Sequence, residues 1–346
     1  MLLKRMAFYA AILAVVCISS GILAGCGQPA DDSDSHSSKD LFSGKITIGT
    51  ETWPGYFPLY LAQEKGFFKE AGLDVEVKQY VGLGELSRDY QAGKMQGRAN
   101  ITLDAVTESL NGFDHLVVLA IDYSNGSDAI VAKKEIGSVQ DFRGKKVGFE
   151  SGTLEEFFLA WALRENGLAL SDVETVFGNP EETAKQLSQG SLDVAVSHEP
   201  FLSKFLESGE FHKVYSSADA PGLVMDVLTF RKDFVESYPE TVGVISRAYF
   251  RALDWYRVHP QEALAILAKW FGDTPESLAH QLEGIRMLDL HDNKTAFTYA
   301  AGLRSVYGNM QEVRGFIQNH REMKGEVLDT DSLVDRRFIQ KLSDAG

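Results

Sequence analysis

The chain has 346 residues and a formal charge of −15, from 34 basic and 49 acidic side chains. That balance excludes the basic footprint that nucleic-acid phosphates or a polybasic membrane patch would need. Both cysteines, Cys17 and Cys26, lie near the N-terminus, so the rest of the chain has neither a disulfide nor a thiol nucleophile.

The first segment opens on Lys4 and Arg5, runs apolar to Ile22 and closes on Leu23-Ala24-Gly25-Cys26. A cationic head, a short apolar core and small residues before a cut have the layout of a secretory signal, too short and wrongly flanked for a stable span. A cysteine at the cut matches the bacterial lipobox. Residues 1–25 are therefore expected to be a lipoprotein signal peptide. Cys26 becomes the lipidated first residue, holding the chain in the cell envelope on a periplasmic or extracellular face. An uncut signal anchor is the alternative reading. Residues 26–43 begin Gly27-Gln28-Pro29 and continue rich in Ser and Asp. They bury too little to offset their ordering entropy and read as a flexible tether. Cleavage removes Lys4 and Arg5 and no acid, leaving a still more acidic chain. What remains is long enough for two lobes, each with a core.

Lys45–Thr50 alternates and ends in a turn, predicting a strand. Pro58–Ala71 predicts a helix broken near Gly66, with Gly72 as its stop. Val75–Val81 is a second alternating strand, and a short helix ending at Tyr90–Gly93 follows the turn Gly82-Leu83-Gly84. Strand-like runs recur at Ala99–Leu103, His115–Ile121, Ala129–Ala132, Lys146–Phe149, Glu174–Phe177 and Leu192–Val196. Helical patterns lie between several of them, as at Thr153–Asn166 and Glu181–Gln189. This alternation predicts largely parallel α/β sheet with helices on both faces, in two stretches near 45–128 and 135–220. Beyond Arg231 the pattern is helical: Tyr238–Val258, Pro260–Phe271, Pro275–Met287 and Lys294–Asn319. There is no short internal repeat.

Several stretches then form an ordered set. They are Gly49-Thr50-Glu51-Thr52-Trp53-Pro54-Gly55-Tyr56-Phe57-Pro58-Leu59-Tyr60-Leu61-Ala62, Lys65-Gly66-Phe67-Phe68 and Gly72-Leu73-Asp74-Val75. Further on come Tyr123-Ser124-Asn125-Gly126-Ser127-Asp128-Ala129-Ile130, Gly144-Lys145-Lys146-Val147-Gly148 and Ser197-His198-Glu199-Pro200-Phe201. From about residue 45 to 260 the set resembles the periplasmic solute-binding proteins of nitrate, sulfonate, taurine and thiamine-pyrimidine importers. The resemblance implies an α/β, two-lobed periplasmic-binding-protein fold (type II) with two crossover strands and a helical C-terminal region. Lobe one would be 44–128 plus 225–346, lobe two 129–224, with a small-molecule ligand in the cleft between them. It also implies an ABC permease and its ATPase as partners, for a monomer with no cofactor, no metal and no nucleic-acid partner.

Ligands in open α/β sheets sit outside the carboxyl ends of strands, which selects the cleft candidates. Glu51 and Trp53 follow the first strand; Trp53 can stack on a ligand or cation and Tyr56 can cover it. Asp104 can accept from an amine or serve as a helix N-cap. Tyr123, Ser124, Ser127 and Asp128 lie at the first crossover, where Asp128 can instead hold a turn with Gly126. Ser151 and Thr153 open a helix, with Thr153 and Glu156 spaced as a capping box, and amides there can hold an oxyanion. His198 and Glu199 follow another strand and otherwise form a plain strand-to-helix turn. Asp226 lies near the second crossover, where it can be structural.

Glu51, Asp104, Asp122, Asp128, Glu199 and Asp226 crowd these positions with no Arg or Lys read beside them. Burying a bare anion there is unfavourable. The expected ligand is a small organic solute, either a taurine- or sulfonate-like zwitterion or a pyrimidine-like amine. A nitrate or sulfonate anion binder, and a ligand-sensing lipoprotein for a membrane signalling partner, are the alternatives. No catalytic residue is assigned. The superfamily's thiamine-pyrimidine synthases carry a cysteine-rich motif that this chain lacks, and His291-Asp292 alone reads as surface or cap.

Overall fold

The computed structural model describes residues 41–81, 83–320 and 328–344. The leader, Cys26, the tether up to Asp40 and Gly82 lie outside the described residues. The strands are β1 (Lys45–Thr50), β2 (Asp74–Gln79), β3 (Gly97–Ile101), β4 (His115–Ser124), β5 (Asp128–Lys133), β6 (Lys146–Phe149), β7 (Glu174–Phe177), β8 (Val194–His198), β9 (Phe211–Ser216), β10 (Met225–Arg231) and β11 (Ile285–Met287). They form two sheets, in the orders β11-β4-β10-β3-β1-β2 and β7-β6-β8-β5-β9. Helices connect and cover them, giving the two-lobed α/β arrangement.

The sheets are mixed rather than largely parallel. β1 pairs parallel with β2 and β3, and β6 pairs parallel with β7 and β8. β10 runs antiparallel between β3 and β4, and β5 antiparallel between β8 and β9. Reversal follows from the two crossings. The chain leaves the first sheet after β4 and returns to it on β10, so these neighbours point opposite ways.

The crossings are stitched together by buried serines. Ser124 Oγ lies 2.7 Å from Ser217 Oγ, and the Gly126 N–H donates to Ser217 Oγ at 2.7 Å. The Asp128 N–H donates to Ser124 Oγ at 3.1 Å. Two of these bonds satisfy backbone N–H groups, those of Gly126 and Asp128.

The C-terminal region is helical with two interruptions that the apolar pattern did not show. The expected helix Pro275–Met287 ends at Glu283, and Ile285–Met287 pairs with β4 instead. The expected helix Lys294–Asn319 is two helices, Leu290–Ala296 and Val306–His320. Gly302 sits between them at φ 110°, and a Cβ at Gly308 would meet the Gly302 carbonyl oxygen at 2.4 Å. The connecting turn thus needs glycine both for its backbone angle and for its close approach.

Asn293 fixes the first of these helices to the sheet. Its carboxamide accepts from the Ala120 N–H at 2.8 Å and donates to the Ala120 carbonyl at 2.9 Å. Asn293→Ala leaves those buried groups unmet and is expected to cost about 2–3 kcal/mol of stability. Urea unfolding checks this; an unchanged midpoint would mean the sheet edge does not depend on Asn293.

The helix Val306–His320 spans the crossing. Asn309 Nδ2 donates to the carbonyls of Gly222 at 2.7 Å and Leu223 at 2.9 Å. Further along, Phe316 packs on Phe157 with centroids 5.0 Å apart, and Arg164 donates to Glu312 at 3.4 Å.

Candidate ligand-binding cleft

Residues that follow β1 and β3 meet at Arg98, and His198 at the end of β8 meets Glu155 after β6, as the strand-end rule leads one to expect. A cleft of about 280 Å³ opens beside them, between Thr52 and Pro54 on one side and Pro200 and Ser203 on the other, with Phe271 and Asp273 along its rim. It flanks Trp53 and Glu199 without being lined by either.

Sequence reasoning missed the central cation of lobe one. Arg98 on β3 is fully buried and pairs with three carboxylates: Glu51 at 3.6 Å, Asp104 at 2.9 Å and Glu108. It also donates to Ser87 Oγ at 3.0 Å. Two of the proposed cleft acids are therefore held by an internal guanidinium, which corrects the reading that no Arg or Lys stands beside them. Nor is Asp104 an N-cap. The helix Thr102–Leu110 is capped at Ile101, and Asp104 occupies its first turn.

Glu51 keeps 34% of its side-chain surface open, although protein surrounds it closely. Burial and the Asp104 charge push its carboxyl up to about 7 against the pull of Arg98. Glu108 is pushed up to about 7, chiefly by burial, again opposed by Arg98. Behind it, burial pulls His115 down to about 4. His115 Nε2–H donates to the Ala105 carbonyl at 3.0 Å, and Nδ1 stands 3.6 Å from Glu108.

Beside this cluster lies an aromatic wall on buried acids. Trp53 Nε1–H points at both oxygens of Asp122 at 3.4 Å, and Tyr56 Oη donates to Asp226 Oδ1 at 2.5 Å. Asp122 and Asp226 are direct partners across β4 and β10. Burial raises both carboxyls, Asp122 to about 8 and Asp226 well above the carboxylate range, where the Asp122 charge adds to it. Gly55 lets the loop close over them, since a Cβ there would meet Asp122 Oδ2 at 2.1 Å.

Lobe two contributes His198, Asp128 and Glu155. His198 Nδ1 is 3.5 Å from Glu155 Oε1. Burial works against its charge, but Glu155, Asp128 and Glu51 outweigh this and raise the imidazole above its ordinary value. Asp128 pairs with His198 across β5 and β8, is raised mainly by burial, and has one oxygen, Oδ2, without a hydrogen bond. His198 and Glu51 also act on one another, each favouring the other's charged form.

The remaining candidates have other partners. Ser124 is buried in the crossing, and Ser127 donates to the Gln281 carbonyl at 3.4 Å. Tyr123 is half-buried on β4 between Met225 and Arg286. Glu199 accepts from the Ser203 N–H at 3.2 Å and hydroxyl at 2.8 Å. The Thr153–Glu156 capping box does not form as expected. Thr153 Oγ1 accepts from the Glu155 N–H, while Glu156 accepts from the Gly152 N–H at 2.7 Å and Ser151 Oγ at 3.1 Å. The helix's own acids thus fill the opening where an oxyanion would sit. Among the described residues, no His, Cys, Asp and Glu group could hold a metal ion.

Known proteins share this organisation. A taurine-binding periplasmic protein of Escherichia coli is 27% identical over 295 residues, 82% of this chain and 89% of that one. A candidate binding protein of Brucella abortus is 24% identical over 222 residues, which are 61% of this chain and 66% of the relative's length. The crystal structure of the periplasmic aliphatic sulphonate binding protein SsuA from Escherichia coli superposes with a TM-score of 0.72 at 16% identity, covering 86% of this chain and 99% of that one. That likeness establishes the fold. The model of one family, described as NMT1/THI5 like, matches residues 53–263, from the aromatic wall of the cleft through both crossings into the C-terminal helices. By that match, over more than half its length, the chain belongs to the NMT1/THI5-like family.

Proposed function

We propose that the protein is an extracytoplasmic solute-binding protein that delivers a small organic solute bearing an amine to an ABC importer. Its lobes are 44–128 plus 225–346 and 129–224, and the solute lies between the ends of their strands. The observation that carries this reading is the charge of the cleft. Glu51, one-third open, and Asp128, with one oxygen lacking a hydrogen bond, both act on His198 at the ends of strands of the two sheets, while Arg98 is fully buried and held by three carboxylates. A protonated amine or ring N–H placed between the lobes satisfies both acids. A lone anion would face these carboxylates, while His198 is already engaged by Glu155 and the helix start at Ser151–Thr153 is already filled by Glu156. A pyrimidine-like amine fits best, and a taurine-like zwitterion through its ammonium end.

Calorimetry of residues 26–346 against pyrimidine amines, taurine, alkanesulfonates and nitrate tests the reading. Amine-bearing solutes are expected to bind and nitrate is not. Tight nitrate binding, with none for the amines, would return the anion reading to first place. Lipid anchoring through Cys26 is the second part of the proposal, supported by the Leu-Ala-Gly-Cys run. Cys26→Ala should shift the protein from the membrane fraction to the soluble or precursor pool. A mature, lipid-bearing Cys26→Ala protein would refute it.

A further inference from the structure

The buried pair Asp122 and Asp226 goes beyond the needs of a cleft wall. Two carboxyls stand opposite each other on adjacent antiparallel strands, both buried. Two buried carboxylates facing each other without a cation between them cannot both stay charged, so the pair holds at least one proton. Both Asp122 oxygens face the indole N–H of Trp53, and Asp226 accepts from the Tyr56 hydroxyl. Gly55, between those two aromatics, brings the loop backbone down onto Asp122.

We propose that Asp122 and Asp226 are positioning residues, a proton-sharing pair that clamps Trp53 and Tyr56 in place as the aromatic wall of the solute cleft. The inference rests on the reading of that cleft as the solute site. The titratable groups facing the pair are Tyr56 and Glu51 from the segment after β1, Asp128 from β5, and Tyr249 from the helix Pro239–Val258. The acids among them oppose loss of the shared proton, while the Tyr56 hydroxyl bond to Asp226 favours it and is outweighed by burial and the Asp122 charge. When the proton leaves, two like charges face each other in a buried site and the clamp opens. The wall is therefore firm at neutral and acid pH and loosens in alkali. A cation recognised by the same cleft meets a rigid ring in the first condition and a mobile one in the second.

The test needs no solute. In protein labelled with 15N at the indoles, four tryptophan side-chain resonances are expected from the four tryptophans, and Trp53→Phe identifies that of Trp53. The Trp53 resonance should move or broaden between pH 6 and about 9.5, while the other three stay still. In Asp122→Asn the amide oxygen still accepts from Trp53 and the amide nitrogen donates permanently to Asp226. That variant should therefore show a pH-invariant Trp53 resonance. If Asp122→Asn does not fold, Asp226→Asn supplies the same fixed donor. A native Trp53 resonance unaffected by pH, or an Asn variant that titrates as the native protein does, overturns the proposal. With a bound solute in hand, native affinity should fall about tenfold across the same range, and the Asn variant should give a flat profile whatever its absolute affinity. Absence of any solute would sink the cleft reading and leave the resonance test standing.

Discussion

Arg98→Met is expected to cost about 3–5 kcal/mol of stability at pH 8, because it strands Glu51, Asp104 and Glu108 without their shared cation. The pH dependence has a definite sign. Glu51 and Glu108 already hold protons more tightly in the folded chain, up to about 7, than their ordinary 4.5. A raised acid weakens the fold as pH climbs from its unfolded value through its folded one. Removing the guanidinium raises these acids further, so the deficit should be greatest at pH 8 and least near pH 5. His115 works the other way, since its depressed imidazole adds stability between about 4 and 6.5. Urea titrations at both pH values check this. Equal midpoints for variant and native protein at pH 8 would show that the cluster does not hold lobe one.

The second large effect is on binding. Glu51→Gln and Asp128→Asn are each expected to weaken an amine ligand by about 1.5–3 kcal/mol, ten- to a hundredfold, because each removes a charge-assisted partner. Glu199→Gln should change affinity far less, since both Glu199 oxygens are already engaged by Ser203. The contrast separates the acids that face the solute from the one that starts a helix. Calorimetry in which Glu199→Gln is the damaging variant, and Glu51→Gln is silent, would invert the assignment.

What the sequence made legible depended on local signals. β1 and the break at Gly66 could be read because alternation and a positive-φ glycine leave marks in adjacent residues. β10 was missed. It is buried on both faces, so Met225–Arg231 shows no alternation and carries the buried polar residues Asp226 and Thr229. Arg98 was passed over for a related reason. It lies just before the run read as a strand, and only the lateral pairing of β1 with β3, which sets Gly49 beside Arg98, brings Glu51 to it. Sheet order is long-range information, and no window along the chain contains it. The same holds for Asp122 and Asp226, whose meeting depends on a strand that returns after the whole of lobe two. Both residues were legible as acids near crossings, but their partnership was not.

That returning strand sets an order of assembly. β10 fills the middle of the first sheet, between β3 and β4, yet it is made after every strand of the second sheet. While β5 to β9 emerge, the facing edges of β3 and β4 have no strand to pair with. Lobe two, whose strands are contiguous in the chain, can close during this interval. Lobe one must wait for a long-range closure, the slow kind of step in which exposed edges invite mispairing. Lobe one is thus the late and vulnerable half of the molecule. A chain halted between Ser216 and Met225 carries a finished second sheet on an unfinished first.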